Sequence, residues 1–258
     1  MPFTVAHAAA FLPFRKLNLV WSAFIIGSMA PDFPYVIGST KYHALGHYYP
    51  GLVYFTIPAS VVALWLFHNV VKRPVVGLLP NSMQVRLTGQ MGKFSFGPAK
   101  RFAVIMMSIL LGIATHVVWD DFTHSYTWAW YRFQWLRGLV RLPVVGLVSR
   151  HAVLQYASTV VGVVALAVWV WLWYRKARPT SQAVPAHSQS RFPLAVAMFA
   201  IACVAGLLRA VLVIGIPSRL LHPDHFMLVF SVTALALAFW QLLLYCVLVS
   251  THQLWTLT

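Results

Sequence analysis

Five stretches of the chain, about 52–71, 102–119, 152–174, 192–216 and 226–250, stay apolar over close to the length a helix needs to cross a hydrocarbon core, which is roughly 20 residues. Within lipid every backbone polar group must be satisfied inside its own segment, so stretches of this kind fold as helices. The chain is therefore expected to be all-α, a polytopic transmembrane helix bundle with five full spans. A sixth apolar segment, about 17–31, is shorter and ends in polar residues. Composition agrees. Of 258 residues, 60% are hydrophobic and only 9% charged, whereas a soluble domain carries about 25% charged residues.

The formal charge of +15 would suggest nucleic acid in a soluble protein. Here the Lys and Arg residues cluster between the apolar spans, where orientation and anionic headgroups account for them. No nucleic-acid module is recognisable, so membrane lipid, not nucleic acid, is the expected partner. Cys203 and Cys246 both lie inside spans. They are expected to be small packing residues and define no disulfide framework. The N-terminus has no basic segment ahead of its apolar run, since Arg15 and Lys16 follow it, and does not read as a signal peptide.

Residues 175–191, RKARPTSQAVPAHSQSR, form a basic flexible linker rich in Ser and Pro. It divides a membrane-embedded core, 1–174, from a C-terminal helix pair, 192–258. Residues 3–14 are helix-compatible but too short to span. With 17–31 they suit an N-terminal helical hairpin with its polar turn at 15–18. The hairpin would bring His7 close to Asp32, whereas a single bent span would separate them. With the hairpin, twelve basic residues fall on one side, among them Arg86, Lys93 and Arg175, and six on the other. The more basic side is expected in the cytoplasm. Residues 125–151 interleave Trp128, Trp130, Tyr131, Phe133 and Trp135 with Arg132 and Arg137. That is the composition of an aromatic belt at headgroup level; a lid or lipid-substrate platform is the other reading.

The acidic residues are few: Asp32, Asp120, Asp121 and Asp224, with no glutamate. His116, Asp120 and His124 are spaced i, i+4, i+8, which stacks them along one helix face. Asp224 lies between His222 and His225. The hairpin supplies His7 to Asp32, and the following loop supplies His43 and His47. An isolated carboxylate at a membrane boundary is costly, and intramembrane ionisable groups are usually paired and functional. A divalent cation would neutralise these carboxylates, and mixed imidazole and carboxylate donors suit zinc, manganese or iron. Hydrogen bonding between His and Asp without metal is the competing account. His68, His151, His187 and His252 sit at span ends, in the linker or in the tail, and suggest no function. Arg209 lies inside a span and is expected to snorkel or to pair with an aspartate. Asp121 is expected to cap or support the neighbourhood of Asp120. The serine-hydrolase elbow, the P-loop, the dinucleotide fingerprint and the H-E-x-x-H motif are all missing.

The blocks MPFTVAHAAAFLPF, GSMAPDFPYVIG, YHALGHYYPGL and GIATHVVWDDFTHS, in that order, resemble the bacterial membrane-protein family described as domain of unknown function 4184. The likeness is carried by the N-terminal two-thirds of the chain. That family in turn resembles, more weakly, the YdjM-type inner-membrane metal-dependent hydrolases and, by pattern, the zinc-dependent phospholipases C. The resemblance implies His7, Asp32, His43, His47, His116 and Asp120 as candidate metal ligands, with His124 beside them, and a divalent metal such as zinc. No glutamate completes the set, so a full trinuclear zinc site is not expected. Asp120 or Asp32 would serve as ligand or general base. The expected function is a metal-dependent membrane hydrolase of a bacterial inner membrane, acting on a phosphoester in a lipid or lipid-linked substrate. The alternative is a non-enzymatic membrane protein whose His/Asp cluster is structural or handles ions.

Overall fold

A computed structural model describes residues 4–37, 44–143, 146–179, 191–215 and 223–255. The helices named below are α1 (Thr4–Phe14), α2 (Trp21–Met29), α3 (Leu52–Gly77), α4 (Ala99–Thr123), α5 (Trp128–Arg132), α6 (Arg150–Lys176), α7 (Phe192–Ile214) and α8 (Pro223–Trp255). Five helical segments are long and apolar enough to cross a membrane, and the chain is an all-α integral membrane protein. One element falls outside that class. Leu139–Leu142 and Gly146–Ser149 pair as an antiparallel two-stranded ribbon between α5 and α6.

The long helices extend past the purely apolar stretches. α3 runs on through Lys72 and Arg73 to Gly77 despite containing Pro58 and Pro74. Two wide turns, Leu52–Thr56 and Phe67–Val71, absorb these prolines. Each turn holds the carbonyl four residues back, Tyr54 or Val70, which the proline cannot bond and would strike in a regular helix. Pro223 opens α8 at the position where its missing N–H costs nothing. Asp224 and His225 thus belong to the first turn of a helix.

The chain folds as two compact units that do not follow sequence order. The first comprises Met1–Phe33, Ala44–Ser60 and Gly97–Trp169, and the second Pro34–His43, Val61–Phe96 and Val170–Thr258. In the first unit α1 packs back on α2 across residues 15–20, the expected hairpin. α2 lies against α4 with backbones in near contact. A Cβ at Gly27 would collide with the Ile109 backbone, and one at Gly112 with the Phe24 carbonyl. Small residues at such crossings let membrane helices gain packing that lipid offers no hydrophobic incentive to form. Val20 N–H donates to Ser108 Oγ at 3.0 Å, which ties the entry of α2 to α4.

In the second unit α7 packs on α8 through Ala202, Gly206 and Ala210, one turn apart and buried, a small-residue seam of the same kind. Arg209, beside that seam, donates to Thr233 Oγ1 at 3.0 Å. Arg86 Nε donates to the Ala177 carbonyl, and Arg191 N–H to the Gly77 carbonyl, both at 3.2 Å. The segment after α3 and both flanks of the linker therefore meet. Linker residues 180–190 lie outside the described residues. Cys203 is half-buried and Cys246 buried, both as free thiols.

Candidate metal centre

The first unit gathers its acidic and imidazole groups at one end of α4. The buried positions of α4 are Ile105, Ser108, Ile109, Gly112, Ile113, His116, Asp120 and Thr123. They recur at helical period and make one continuous face. Its lower part is apolar and meets α2; its upper part presents His116 and Asp120 one turn apart. Asp32 arrives from the turn Ala30–Asp32 that closes α2, with Pro31 and Asp32 both buried. His47 arrives at the end of the short helix Ala44–His47. Gly46 is what allows that approach: a side chain there would collide with the Pro31 carbonyl.

Four donor atoms converge, one each from Asp32, His47, His116 and Asp120, all within 4.8 Å of one another. His47 Nε2 lies 3.2 Å from His116 Nε2. Asp120 Oδ2 lies 3.4 Å from His47 Nε2 and 3.3 Å from His116 Nε2. Asp32 Oδ1 lies 3.7 and 3.8 Å from the same two nitrogens. Ligands at the 2.0–2.2 Å typical of zinc, arranged tetrahedrally, are about 3.3–3.6 Å apart. Five of the six edges of this four-atom set thus lie close to those of a tetrahedron around such an ion, the His47–His116 edge slightly short and the two Asp32 edges slightly long.

Two features point from geometry to a cation. His116 Nδ1 lies 2.8 Å from the Ser28 carbonyl oxygen. An oxygen of that kind only accepts, so a proton sits on Nδ1, and in the neutral ring the Nε2 lone pair would face the centre. This is the outer hydrogen bond that metal-binding histidines characteristically make. Asp32 is fully buried, yet neither carboxylate oxygen has a hydrogen-bond partner. The Thr4 hydroxyl, close enough to act on that carboxyl, is itself buried without a hydrogen bond. A buried carboxylate without a hydrogen bond costs several kcal/mol, and a cation would offset that cost. The donor set therefore fits a divalent metal. Burial pushes the Asp32 carboxyl above its ordinary range. Burial likewise holds the His7 imidazole down to about 3, in its neutral form.

His7 stands beside the four atoms, not among them. Its ring stacks on His116 with centroids 3.9 Å apart, and its Nε2 is 3.4 Å from Asp120 Oδ1, the oxygen on the far side of that carboxylate. His124 is more peripheral. Its Nδ1 faces the Asp120 carbonyl at 3.2 Å, and its Nε2 meets Gln155 Nε2 of α6 at 2.9 Å. A proton on Nδ1 and an amide N–H donated to Nε2 satisfy both contacts, which leaves neither nitrogen for an ion. His43 and His222 lie outside the described residues. Asp121 turns away from the cluster and caps α5, its two oxygens accepting from Trp128 N–H at 3.0 Å and Ala129 N–H at 3.1 Å.

Sequence reasoning missed Gln155, Gly46, Thr4 and the Ser28 carbonyl. Gln155 had a signal, being a lone amide near the start of an apolar helix. The Ser28 carbonyl and Gly46 had none, since their roles follow from which backbones touch. His68 belongs to the second unit, where it stacks on Phe94 with centroids 3.9 Å apart. His151 lies near Ser149 Oγ and the Leu136 carbonyl.

The family model described as Domain of unknown function (DUF4184) matches residues 1–247. No curated protein and no solved structure matches the chain.

Proposed function

The chain belongs to this DUF4184 family, and we propose on the geometry of its centre that it is a metal-dependent membrane hydrolase, cleaving a phosphoester in a lipid or lipid-linked substrate. The observation that carries the reading is the near-tetrahedral set of Asp32, His47, His116 and Asp120 around a buried carboxylate with no hydrogen bond. A divalent cation bound there, zinc being the best match to the donors, would lower the pKa of water and polarise the ester oxygen. In the reaction the oxygen of water adds to phosphorus, the ester P–O bond breaks, and a proton from the water leaves with the alcohol.

The residues divide the remaining work. Asp32, His47, His116 and Asp120 would hold the ion. Asp120 presents its second oxygen to His7 and thus ties the centre to a cavity lined by both residues. His7, neutral and stacked on His116, offers a hydrogen bond to a substrate entering that cavity. Gln155 fixes His124, and His124 in turn supports the last turn of α4. The bias of basic residues, twelve against six, supports placing this face outside a bacterial cytoplasmic membrane.

The test is elemental analysis of full-length protein purified without added metal, paired with release of phosphate or alcohol from phosphoester substrates. Near-stoichiometric metal, with hydrolysis lost on chelation and restored by metal, is the expected result. A metal-free protein that takes up no zinc would leave a structural His/Asp cluster instead.

A further inference from the structure

A cavity of about 440 Å³ lies in the first unit between α1, α4 and α6, within the usual range for ligand pockets of roughly 300–1,000 Å³. Its two ends differ in chemistry. At one end stand His7 and Asp120 of the candidate centre; the remaining wall is mostly apolar, with Ala6 and Ala10 from α1 and Ala157 and Val161 from α6, and the hydroxyls of Ser158 and Thr159 on it both donate to the Gln155 carbonyl. From Gln155 at the polar end to Gly162, the apolar wall follows α6 for about 10 Å. The side chains along it are mostly small, which leaves the space open as far as Gly162, where α6 closes on the Ala6 backbone of α1. Trp119 Nε1 donates to Ser158 Oγ at 3.1 Å and joins α4 to α6 across the cavity.

The cavity is reached sideways. Val161 is 66% exposed and Trp119 42% exposed, on helices long and apolar enough to span. Their exposed faces meet hydrocarbon, so what enters between them comes from the bilayer. An occupant must therefore carry a polar, anionic head for the centre and an aliphatic tail for the wall.

We propose that this groove holds one hydrocarbon chain of a bilayer phospho-amphiphile, with its phosphoester head at the His7–Asp120 end. The proposal rests on the hydrolase reading for the head and on the groove alone for the chain. Recognition is then divided: the centre binds the phosphoester, and the wall of α6 selects molecules that carry a chain.

The experiment compares two probes with the same head, palmitoyl lysophosphatidic acid and glycerol 3-phosphate, binding to the full-length protein in detergent. Native mass spectrometry reads occupancy and oligomeric state together, and metal content is measured in the same samples. Wild type is expected to bind the chain-bearing probe at least ten-fold tighter. Ala157→Trp should remove at least ten-fold of that preference, with metal content and glycerol 3-phosphate binding unchanged. Val161→Phe, on the same wall, should act in the same direction and guards against misfolding of the first variant. Equal affinity for both probes, or a preference that survives both variants, overturns the groove even where metal and hydrolysis persist. A dimer dissociated by Ala157→Trp also overturns it, since a second copy would then occupy the wall. Chain preference without metal or hydrolysis would retain the groove and sink the hydrolase reading.

Discussion

Asp32→Asn separates a metal ligand from a structural aspartate because the two roles predict opposite signs. The carboxylate is fully buried without a hydrogen bond, so in metal-free protein it is a liability. The neutral isostere keeps the shape and removes the charge. The gain is the difference between an unsatisfied charged group and an unsatisfied amide, about 1–2 kcal/mol. At roughly 2–4 °C per kcal/mol for a chain of this size, melting in chelator should rise by about 2–8 °C. Metal binding moves the other way. A four-ligand zinc site contributes roughly 10–16 kcal/mol, so one ligand in four is worth about 2.5–4 kcal/mol, or about two to three decades in Kd. The assay is thermal unfolding in detergent with and without chelator, alongside competitive zinc titration. A variant that melts lower without metal and binds zinc as tightly as wild type would refute the argument.

Three further outcomes follow from individual contacts. Gln155→Leu removes the partner of His124, which lies outside the four donors, and should leave zinc affinity and insertion close to wild type; a loss of roughly 10–100-fold, the size expected for the partner of a metal ligand, would place His124 in the centre. Gly46→Val should displace the His47 turn from Pro31 and lower metal content sharply, measured by elemental analysis; full metal content would show that the close approach is dispensable. Asp121→Ala removes the acceptor of the first two N–H groups of α5, leaving the Thr127 hydroxyl on Trp130 N–H, and should cost about 0.5–2 kcal/mol, seen as faster proteolysis near residues 125–132, while metal content stays at the wild-type level.

How much of this was legible depends on which interactions leave a trace in one dimension. The long helices did, because apolar length is a local property. The ends of α3 did not, because the basic residues and Pro74 are tolerated through a wide turn that hydropathy does not register. His116 and Asp120 were legible as a pair, since a step of four residues rotates a helix by only about 40°. His124 was grouped with them on the same spacing, yet two such steps amount to about 80°. It also sits just beyond the last turn with extended backbone, so it faces Gln155 instead of the centre. The meeting of Asp32 with His116 required the hairpin, and the hairpin's depth is set by Gly27 and Gly112, whose partners lie some 80 residues away. The ribbon at 139–149 escaped notice because its strands are four residues each, too short for a period to emerge. The two units interleave segments of the chain, and reading along the sequence does not disclose that order.

The hairpin carries a consequence for biosynthesis. Asp32 leaves the ribosome 88 residues ahead of Asp120, an interval of roughly 4–18 s at ordinary synthesis rates of about 5–20 residues per second. During that time neither His116 nor the Gly112 surface exists, and of the two imidazoles that face the Asp32 carboxylate in the folded chain only His47 has been made. Such a group is expensive within a bilayer, so the hairpin is expected to stay in the headgroup layer until α4 has crossed. The order of assembly then runs against the order of synthesis: the first apolar segment made is among the last to settle, and the cluster closes in the same movement.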